Sequence, residues 1–449
     1  MPNWSTLAIL ALTIANLFGA ATGALSWQAP LAALTFLACM HRVSHATSSR
    51  FNPAMLLCAT VTLFLLSRFL ITYFFGWADY RYGDWFLMGP MEEGLVSKAL
   101  AGVCLFLCGI ALVAGRLGDL PMREDSYLGT IALRAGLAIL PFTLYRLYIN
   151  IDTWRSGDYL ALYKYGGPTG IPYAIGSWLI LCVFAYLASR PRLRPALAGF
   201  AIGVLLCGLD MLKGARGIPM AQIIGLTWLL VTTQQIRVSW WKAGGAVVAL
   251  ALMADVVGRL RVGMPATMAV ANPFETLFGF FYGQGVSLIF VVSTLKHIGS
   301  FVPVVDGLRS TFAIFIDGYH RAFGELAMGQ TIEFARQTAS LAHRVSFIVD
   351  AEMYLNGKGM GGSAIAESML YAPVFGPLLA GLFTGGMLRL LYGAAKAAPL
   401  GLFVFAATLP FFLLVPRENQ LFFAVPLCKA LLFAGIVYVL ARIHVRQPA

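Results

Sequence analysis

Apolar runs alternate with short polar segments along almost the whole chain of 449 residues. Many of the runs are about 20 residues long, the length of helix that crosses the hydrocarbon core of a bilayer. The pattern therefore predicts an all-α fold, a polytopic transmembrane helical bundle that forms one integral membrane domain over residues 1–449. About twelve spans are predicted, the second of them short, near residues 6–26, 28–41, 53–75, 95–115, 128–148, 171–189, 196–212, 218–234, 242–257, 368–390, 399–415 and 420–441.

The composition supports a membrane protein. Hydrophobic residues make up 59% of the chain and charged residues 12%, whereas a soluble domain carries about 25% charged residues. The net charge of +12 would suggest nucleic acid as the partner of a soluble protein. In this chain we interpret most of the basic residues as loop charges that meet anionic lipid, so we expect the bilayer as a partner and no nucleic acid.

The loop charges predict an orientation. Alternate loops are rich in arginine and lysine, whereas the short loops between them are poorer in basic residues and include the acidic segment 79–93. By the positive-inside rule the basic loops and both termini lie in the cytoplasm. The basic loops hold Arg42, Arg50, Arg116, Arg123, Arg190, Arg192, Arg194, Arg237, Lys242, Arg389, Lys396, Arg442 and Arg446.

One long segment, at about residues 258–366, is then predicted to lie on the outer side as a periplasmic loop. Its part 274–292 is apolar enough to enter the membrane. A single crossing there would invert the helices that follow, so we favour a re-entrant or interfacial segment over a true span. Gly279, Gly283 and Gly285 suit the break that such a segment needs, and backbone of this kind is tolerated in a membrane where it is buried in protein or lines a cavity.

Basic residues at the outer ends of helices are unexpected, because the positive-inside rule places most of them in the cytoplasm. Three outer helix ends nevertheless contain them. Lys213 and Arg216 lie in a tight hairpin, where Pro219 can open the next helix. Arg216 is thereby placed next to a helix N-terminus, which favours an anion. The structural alternative is an arginine that pairs with Asp210 or reaches the lipid headgroups.

The second place holds Arg259 and Arg261, at the end of the ninth span. If the backbone is extended there, the two side chains point the same way and can clamp one phosphate or pyrophosphate. The third place is the short turn that contains Arg417 and Glu418, where Glu418 can orient Arg417 or act as a base. A full charge pair in so short a turn is costly if it is merely structural.

The long loop adds histidine–arginine pairs. A histidine can deprotonate a sugar hydroxyl while a neighbouring arginine holds phosphate; the structural alternative is a set of ordinary polar residues on an amphipathic loop helix. The candidates in the loop are Lys296, His297, His320, Arg321, Arg336, His343, Arg344 and Glu367.

Several kinds of chemistry lack their sequence signatures. The chain has no HExxH, Walker, DxD or GxSxG motif, which argues against zinc chemistry, ATP hydrolysis, nucleotide-sugar transfer and serine hydrolysis. Its seven cysteines all lie in apolar runs. We therefore predict no metal site and no cofactor. The features that remain describe an arginine-rimmed cavity at the outer leaflet, which suits an anionic lipid-linked substrate.

Four short pieces of the chain resemble the bacterial Wzy-type polymerases of O-antigen, enterobacterial common antigen and capsule repeat units. They are Lys213-Gly-Ala-Arg216-Gly, Phe281-Tyr-Gly-Gln284-Gly285-Val-Ser287, the run Ala366-Glu367 to Phe375-Gly376, and Pro416-Arg417-Glu418. Each piece is weak alone, and their order and spacing carry the resemblance. The matching pieces lie between about residue 210 and the end of the chain; the first half is similar in hydropathy alone.

The resemblance implies a GT-C-like glycosyltransferase of the bacterial inner membrane, with its active site facing the periplasm. A growing chain on undecaprenyl pyrophosphate would move onto a newly flipped repeat unit, and a chain-length regulator and a flippase would be further partners. It implies pyrophosphate binding by Arg216 and Arg417, joined by Arg259 or Arg261. It also implies substrate binding by Gln284 and makes Glu367 and Glu418 structural or acid–base candidates.

Two alternatives stay open at this point. A ligase that transfers the finished polymer to lipid A core would share the architecture and would make one loop histidine essential. A non-enzymatic transporter of lipid-linked oligosaccharide would place its charges inside the spans, where Arg68, Arg134 and Arg146 lie. No inverted repeat or pair of broken helices supports transport.

Overall fold

The computed structural model describes residues 4–22, 27–44, 52–76, 91–114, 117–121, 123–155, 160–166, 170–211, 217–261 and 273–445. These ranges are mainly helical and contain no β-strand. Besides a helical turn at Ala161–Lys164, the helices are α1 Trp4–Thr22, α2 Gln28–Ser44, α3 Pro53–Phe75, α4 Glu93–Ala114, α5 Ser126–Arg155, α6 Ile171–Ala188, α7 Leu193–Met211, α8 Gly217–Thr233, α9 Trp240–Arg261, α10 Pro273–Gln284, α11 Ser287–Lys296, α12 Pro303–Thr311, α13 Ala313–Ala322, α14 Ile332–Gln337, α15 Leu341–Val349, α16 Ala351–Leu355, α17 Ala364–Tyr371, α18 Gly376–Ala397, α19 Pro399–Phe412 and α20 Ala424–Val445.

The predicted bundle of membrane helices is confirmed. Ten helical stretches of the described chain are long and apolar enough to cross a membrane. Nine of them coincide with predicted spans, and the tenth is the stretch Glu275–Lys296. The predicted spans that fall on α8 and α9 correspond to shorter apolar helical stretches, and α2, predicted to be short, has 17 residues.

The predicted span 368–390 begins too early. The structure divides this region into α17, which ends at Tyr371, and α18, which begins at Gly376. Ala372 between them is extended, with φ −152° and ψ 88°, because the proline that follows disfavours a helical conformation at the residue before it. Glu367 therefore lies on a separate short helix and not at the start of a span.

The bundle is built around α4 and α18, which run parallel in close contact. A Cβ atom added at Gly109 would lie 2.5 Å from the Leu378 carbonyl oxygen, and one added at Gly381 would lie 2.2 Å from that of Phe106. Such backbone contact through small residues is how helices associate inside a membrane. We call the side on which α4 and α18 begin the Arg417 face, because the turn that contains Arg417 lies between α19 and α20 on that side.

Helix α3 ends on the same face. Arg42, near the end of α2, donates through Nε to the carbonyl oxygen of Ala111 near the end of α4, at 2.8 Å. Asn52, just before α3, donates to the Val43 carbonyl oxygen at 3.0 Å. Helix α3 therefore starts where α4 ends, and it runs toward the Arg417 face.

Helices α10 and α11 form a bent segment that begins on the Arg417 face and is connected through α12 to the same face. Helix α10 runs antiparallel to α3: Phe278 packs on Phe75 at 5.3 Å between ring centroids, and the Ser67 hydroxyl donates to the Phe281 carbonyl oxygen at 2.7 Å. The chain turns at Gly285, where an added Cβ would lie 2.4 Å from the Arg68 nitrogen. Helix α11 then packs against α15 and leads to α12, which packs on α17 just before α18. Glu275–Lys296 would suffice for a span by length and composition alone, but these contacts favour the re-entrant interpretation.

Candidate functional site

The turn between α19 and α20 lies in a recess below the Arg417 face. It consists of a single 3-10 turn, Val415–Arg417, followed by Glu418 in an extended conformation. The Gln420 side chain donates to the Thr384 hydroxyl at 2.8 Å and to the Ala380 carbonyl oxygen at 3.2 Å. Ala380 and Thr384 belong to the second and third turns of α18, so the turn reaches roughly 6–12 Å below the start of that helix.

Arg417 links this turn to the end of α10. Its Nη1 donates to Oε1 of Gln284, the last residue of α10, at 3.2 Å. Its guanidinium lies over the ring of Phe64, 5.6 Å from the centroid, and the side chain is partly exposed. Phe64 belongs to a π-helical stretch of α3, Thr62–Leu66, and such interruptions often occur at functional sites. Arg417 and Gln284, which the sequence analysis named separately, are therefore in direct contact.

Arg68 is a second arginine beside α10, and it was missed as a site candidate. It is 1% exposed, and its guanidinium lies 4.3 Å from the ring centroid of Tyr282, two residues before Gln284. An arginine within an apolar span is by itself a signal of function, because a charge at that depth is costly. From the sequence, Arg68 was considered only as a charge inside a span that would suit a transporter.

Glu418 carries a carboxyl group that titrates near neutral pH. Burial raises its pKa to about 7, against the opposing effect of the adjacent Arg417. Tyr163 lies close enough that the Glu418 carboxylate contributes, after burial, to raising the pKa of the tyrosine hydroxyl. A carboxyl group with a pKa near the working pH is suited to general acid–base chemistry. The sequence offered no signal for Tyr163, which comes from a polar connection between two spans.

Glu367 is buried and connects three segments of the chain through hydrogen bonds. Its Oε1 accepts a hydrogen bond from the Ser310 hydroxyl at 2.7 Å, and its Oε2 accepts one from the Gln420 backbone N–H at 2.9 Å. Its side chain is enclosed, and burial raises its pKa to about 7. Because both carboxyl oxygens are occupied by protein donors, the geometry favours a positioning role for Glu367 over contact with substrate.

Substituting Glu367 is expected to change stability and its dependence on pH. Glu367→Ala leaves the Ser310 and Gln420 donors without their acceptor and should cost roughly 1–3 kcal/mol per donor, whereas Glu367→Gln retains one acceptor oxygen and should cost less. Because the folded-state pKa is raised, the stabilising contribution of this group is complete below about pH 4.5 and is lost as the pH rises through about 7. Thermal unfolding in detergent between pH 5 and pH 8 should show a smaller fall in midpoint for Glu367→Gln than for the wild type. An unchanged fall would contradict this assignment.

The loop histidines and arginines mainly contact other loop residues. His343 lies between the Phe334 ring, at 4.8 Å, and the Tyr354 hydroxyl, which is 3.2 Å from Nδ1. Burial lowers its pKa to about 4, so the imidazole is neutral at physiological pH. Helix α15 does border the turn, since a Cβ added at Gly362 would contact both Ala342 and Glu418.

Three further loop candidates also have partners within the loop. Arg344 forms an ion pair with Asp306 and lies over the Phe301 ring at 5.1 Å. His320 pairs with Glu325 at 2.7 Å on the exposed surface, and Arg321 lies 5.5 Å from the Phe334 ring centroid. These contacts place the four predicted residues Arg344, His320, Arg321 and His343 in the framework of the loop.

The structure treats the other residues predicted to bind an anion in two ways. Lys213 and Arg216 lie outside the described residues. The condition of an extended backbone at Arg259 and Arg261 is not met, because α9 continues as a helix to Arg261. Positions two apart on a helix do not share a face, so the geometric reason for a joint phosphate clamp no longer holds.

A large apolar cavity lies between α5, α6, α7, α8, α19 and α20, with a volume of about 440 Å³. Its charged lining residues are Arg146, Asp210 and Lys429. Arg146 and Asn150 each donate to Asp210 at 3.0 Å, so Asp210 has partners within the bundle. Phe411 and Phe422, from the two sides of the Arg417 turn, line the same cavity. A pocket with apolar walls and a few charges suits a lipid chain with a polar head.

No group of three or more His, Cys, Asp or Glu in the described ranges is arranged to hold a metal ion. We found no match to the chain among curated proteins or among solved structures. A sequence model of the family O-antigen polysaccharide polymerase Wzy matches residues 3–446. The match covers nearly the whole chain, including the first half, where the short motifs carried no signal. This multi-pass membrane protein belongs to the Wzy family of O-antigen polysaccharide polymerases.

Proposed function

We propose that the protein polymerises oligosaccharide repeat units linked to undecaprenyl pyrophosphate, with its site on the periplasmic side of the bacterial inner membrane. The observation that carries this proposal is the pairing of Arg417 with Gln284 next to Glu418, in a recess below one face of the bundle. A guanidinium suits a pyrophosphate, and a carboxyl group that titrates near pH 7 suits a sugar hydroxyl. The basic loops described above support the periplasmic orientation.

The proposed reaction is a glycosyl transfer. The bond between the anomeric carbon of the growing chain and its pyrophosphate oxygen breaks, and a new bond forms from that carbon to a hydroxyl of the incoming repeat unit. The hydroxyl proton passes to the Glu418 carboxylate, and Arg417 stabilises the charge that develops on the departing undecaprenyl pyrophosphate. The activated ester supplies the energy, so no nucleotide is needed. Gln284 holds Arg417 in place, and Glu367 holds the backbone of the turn through Gln420.

Deletion of the gene, followed by complementation, tests this function. A polymerase predicts surface lipopolysaccharide capped with a single repeat unit in the deletion strain, and the polymer ladder returns with the wild-type gene. Polymer that accumulates on undecaprenyl pyrophosphate would instead identify a ligase. An unchanged polysaccharide profile would reject both enzyme functions.

Replacement of the single residue His343 distinguishes the polymerase function from the ligase function. The polymerase proposal assigns His343 a structural role because it is buried and neutral. We expect His343→Gln to lose about 1 kcal/mol of stability through its contact with Tyr354 and to keep polymerisation within a few-fold of the wild type. The measurements are the melting temperature of the purified variant and its polymer ladder in the deletion strain. Loss of the ladder with normal protein abundance in the membrane would restore His343 as a catalytic candidate.

A further inference from the structure

Helices α12 and α13 carry an apolar stripe that faces away from the protein. From Val305 onward its members recur every three or four residues, and the exposed fractions run from 46% for Phe315 to 66% for Phe323. This spacing places them along one side of two consecutive helices. The stripe consists of Val304, Val305, Leu308, Phe312, Phe315, Tyr319 and Phe323.

The opposite side of α12 is polar and buried. Asp306 forms the ion pair with Arg344, and Ser310 donates to Glu367. The Ser310 side chain is 1% exposed and that of Asp306 is 7% exposed. A surface helix in water has the reverse arrangement, with its apolar side against the protein. This inverted polarity indicates that the stripe faces an apolar medium.

The position of α12 relative to the spans identifies that medium. A Cβ added at Gly307 would lie 3.0 Å from the backbone nitrogen of Tyr371, which is a few residues before α18 enters the bundle. Phe375 and Leu379 at the start of α18 are more than half exposed, as expected for a helix that faces lipid. The stripe therefore lies at the level where α18 meets the membrane boundary.

The composition of the helix pair also matches a membrane interface. Three aromatic residues of the stripe, Phe312, Phe315 and Tyr319, are of the kind that gathers where lipid headgroups meet hydrocarbon. Arg321 is exposed near the end of α13, next to His320, which forms an exposed ion pair with Glu325. Apolar and aromatic residues beside exposed basic residues are typical of helices that lie in the plane of a membrane surface.

We propose that α12 and α13 are interfacial helices, whose apolar stripe is inserted in the leaflet on the Arg417 face. This part of the long loop is then a membrane-bound cover next to the site, and not a water-exposed domain. Ile314 of α13 lines the 440 Å³ cavity, so the inserted helix also forms part of the wall between that cavity and the lipid.

Spin labelling in lipid nanodiscs tests the insertion with the full chain. Leu308→Cys and Phe315→Cys place a nitroxide at two stripe positions, and Glu352→Cys places one at an exposed polar position on α16 of the same loop. The background is Cys428→Ser, since Cys428 is the exposed native cysteine and the other six are buried. Accessibility to oxygen, which concentrates in lipid, is compared with accessibility to a neutral nickel chelate, which stays in water.

We expect oxygen accessibility to exceed nickel accessibility several-fold at Leu308 and Phe315, and the order to be reversed at Glu352. Higher nickel accessibility at both stripe positions would show that they face water and would overturn the proposal. Low accessibility to both reagents would also overturn it, because a protein partner or a second copy of the chain would then cover the stripe. The measurement needs no enzymatic activity, so its failure would leave the proposed reaction untouched.

Discussion

Replacing Arg417 with alanine is expected to reduce polymerisation about 100-fold or more. The substitution removes a guanidinium that contacts Gln284 in the recess and that, in the proposed reaction, stabilises the departing pyrophosphate. Loss of one such donor typically costs about 10²–10³ in rate. Arg417→Lys keeps the positive charge but loses the planar fork that binds two phosphate oxygens, so we expect a smaller loss of about tenfold.

The measurement is the rate of polymer formation from lipid-linked repeat units by purified protein, together with the polymer ladder in the deletion strain. Arg389→Ala is the matched control: this exposed arginine of α18 lies toward the opposite face and donates to the Val113 carbonyl oxygen at 3.3 Å. It should remain within about twofold of the wild type, because a single exposed contact of this kind contributes little. Wild-type activity in Arg417→Ala would remove Arg417 from the mechanism.

The hydrophobic pattern was sufficient to predict the bundle, because a helix that crosses a bilayer must be apolar for about 20 residues. It was less reliable at the ends of helices. The predicted span at 368–390 ran through the break near Ala372, since the residues on both sides of the break are apolar. The re-entrant or interfacial course of the segment 274–292 stays a prediction, made because one crossing would invert the rest of the chain.

The site could be predicted only in part. Arg417 and Glu418 were singled out because charges in a short apolar turn are unusual, and Gln284 through a family resemblance. Their contact depends on the depth to which α10 enters the bundle, which pairwise sequence spacing does not encode. The same holds for Tyr163, which reaches the site from a distant connection. For the histidines, the residue type can be read from the sequence but the burial cannot, and burial keeps His343 neutral.

The two glutamates near Arg417 have the same side chain but different surroundings, and these surroundings suit them to different roles. Glu367 and Glu418 both have their pKa raised to about 7 by burial. Glu367 has a protein donor on each oxygen, and the negative charge of Glu418 further raises its pKa. Glu418 adjoins a cation and stands in an extended backbone beside the recess. In the proposed reaction Glu418 is therefore the group that ionises, and Glu367 holds the turn.

Glu418→Gln is expected to reduce polymerisation by about 10²–10⁴, the usual contribution of a positioned general base. The amide matches the carboxylate in shape but cannot accept the proton. Because a base acts in its ionised form, wild-type activity should rise with pH and level off above about 7. Arg417 is the charged neighbour that lowers this pKa against the effect of burial, and the Glu418 charge in turn raises the pKa values of Tyr163 and Glu367.

The decisive measurement is kcat and KM against pH, from about 5.5 to 8.5, for the wild type and Glu418→Gln. Glu352→Gln changes an exposed glutamate of the same loop and should keep the wild-type profile. If Glu418 only orients Arg417, its replacement would mainly raise KM, and the wild-type kcat would not follow a pKa near 7. A loss in kcat with a flat residual profile would instead identify Glu418 as the proton acceptor, because the ionisation that controls the wild-type rate disappears with the carboxyl group itself.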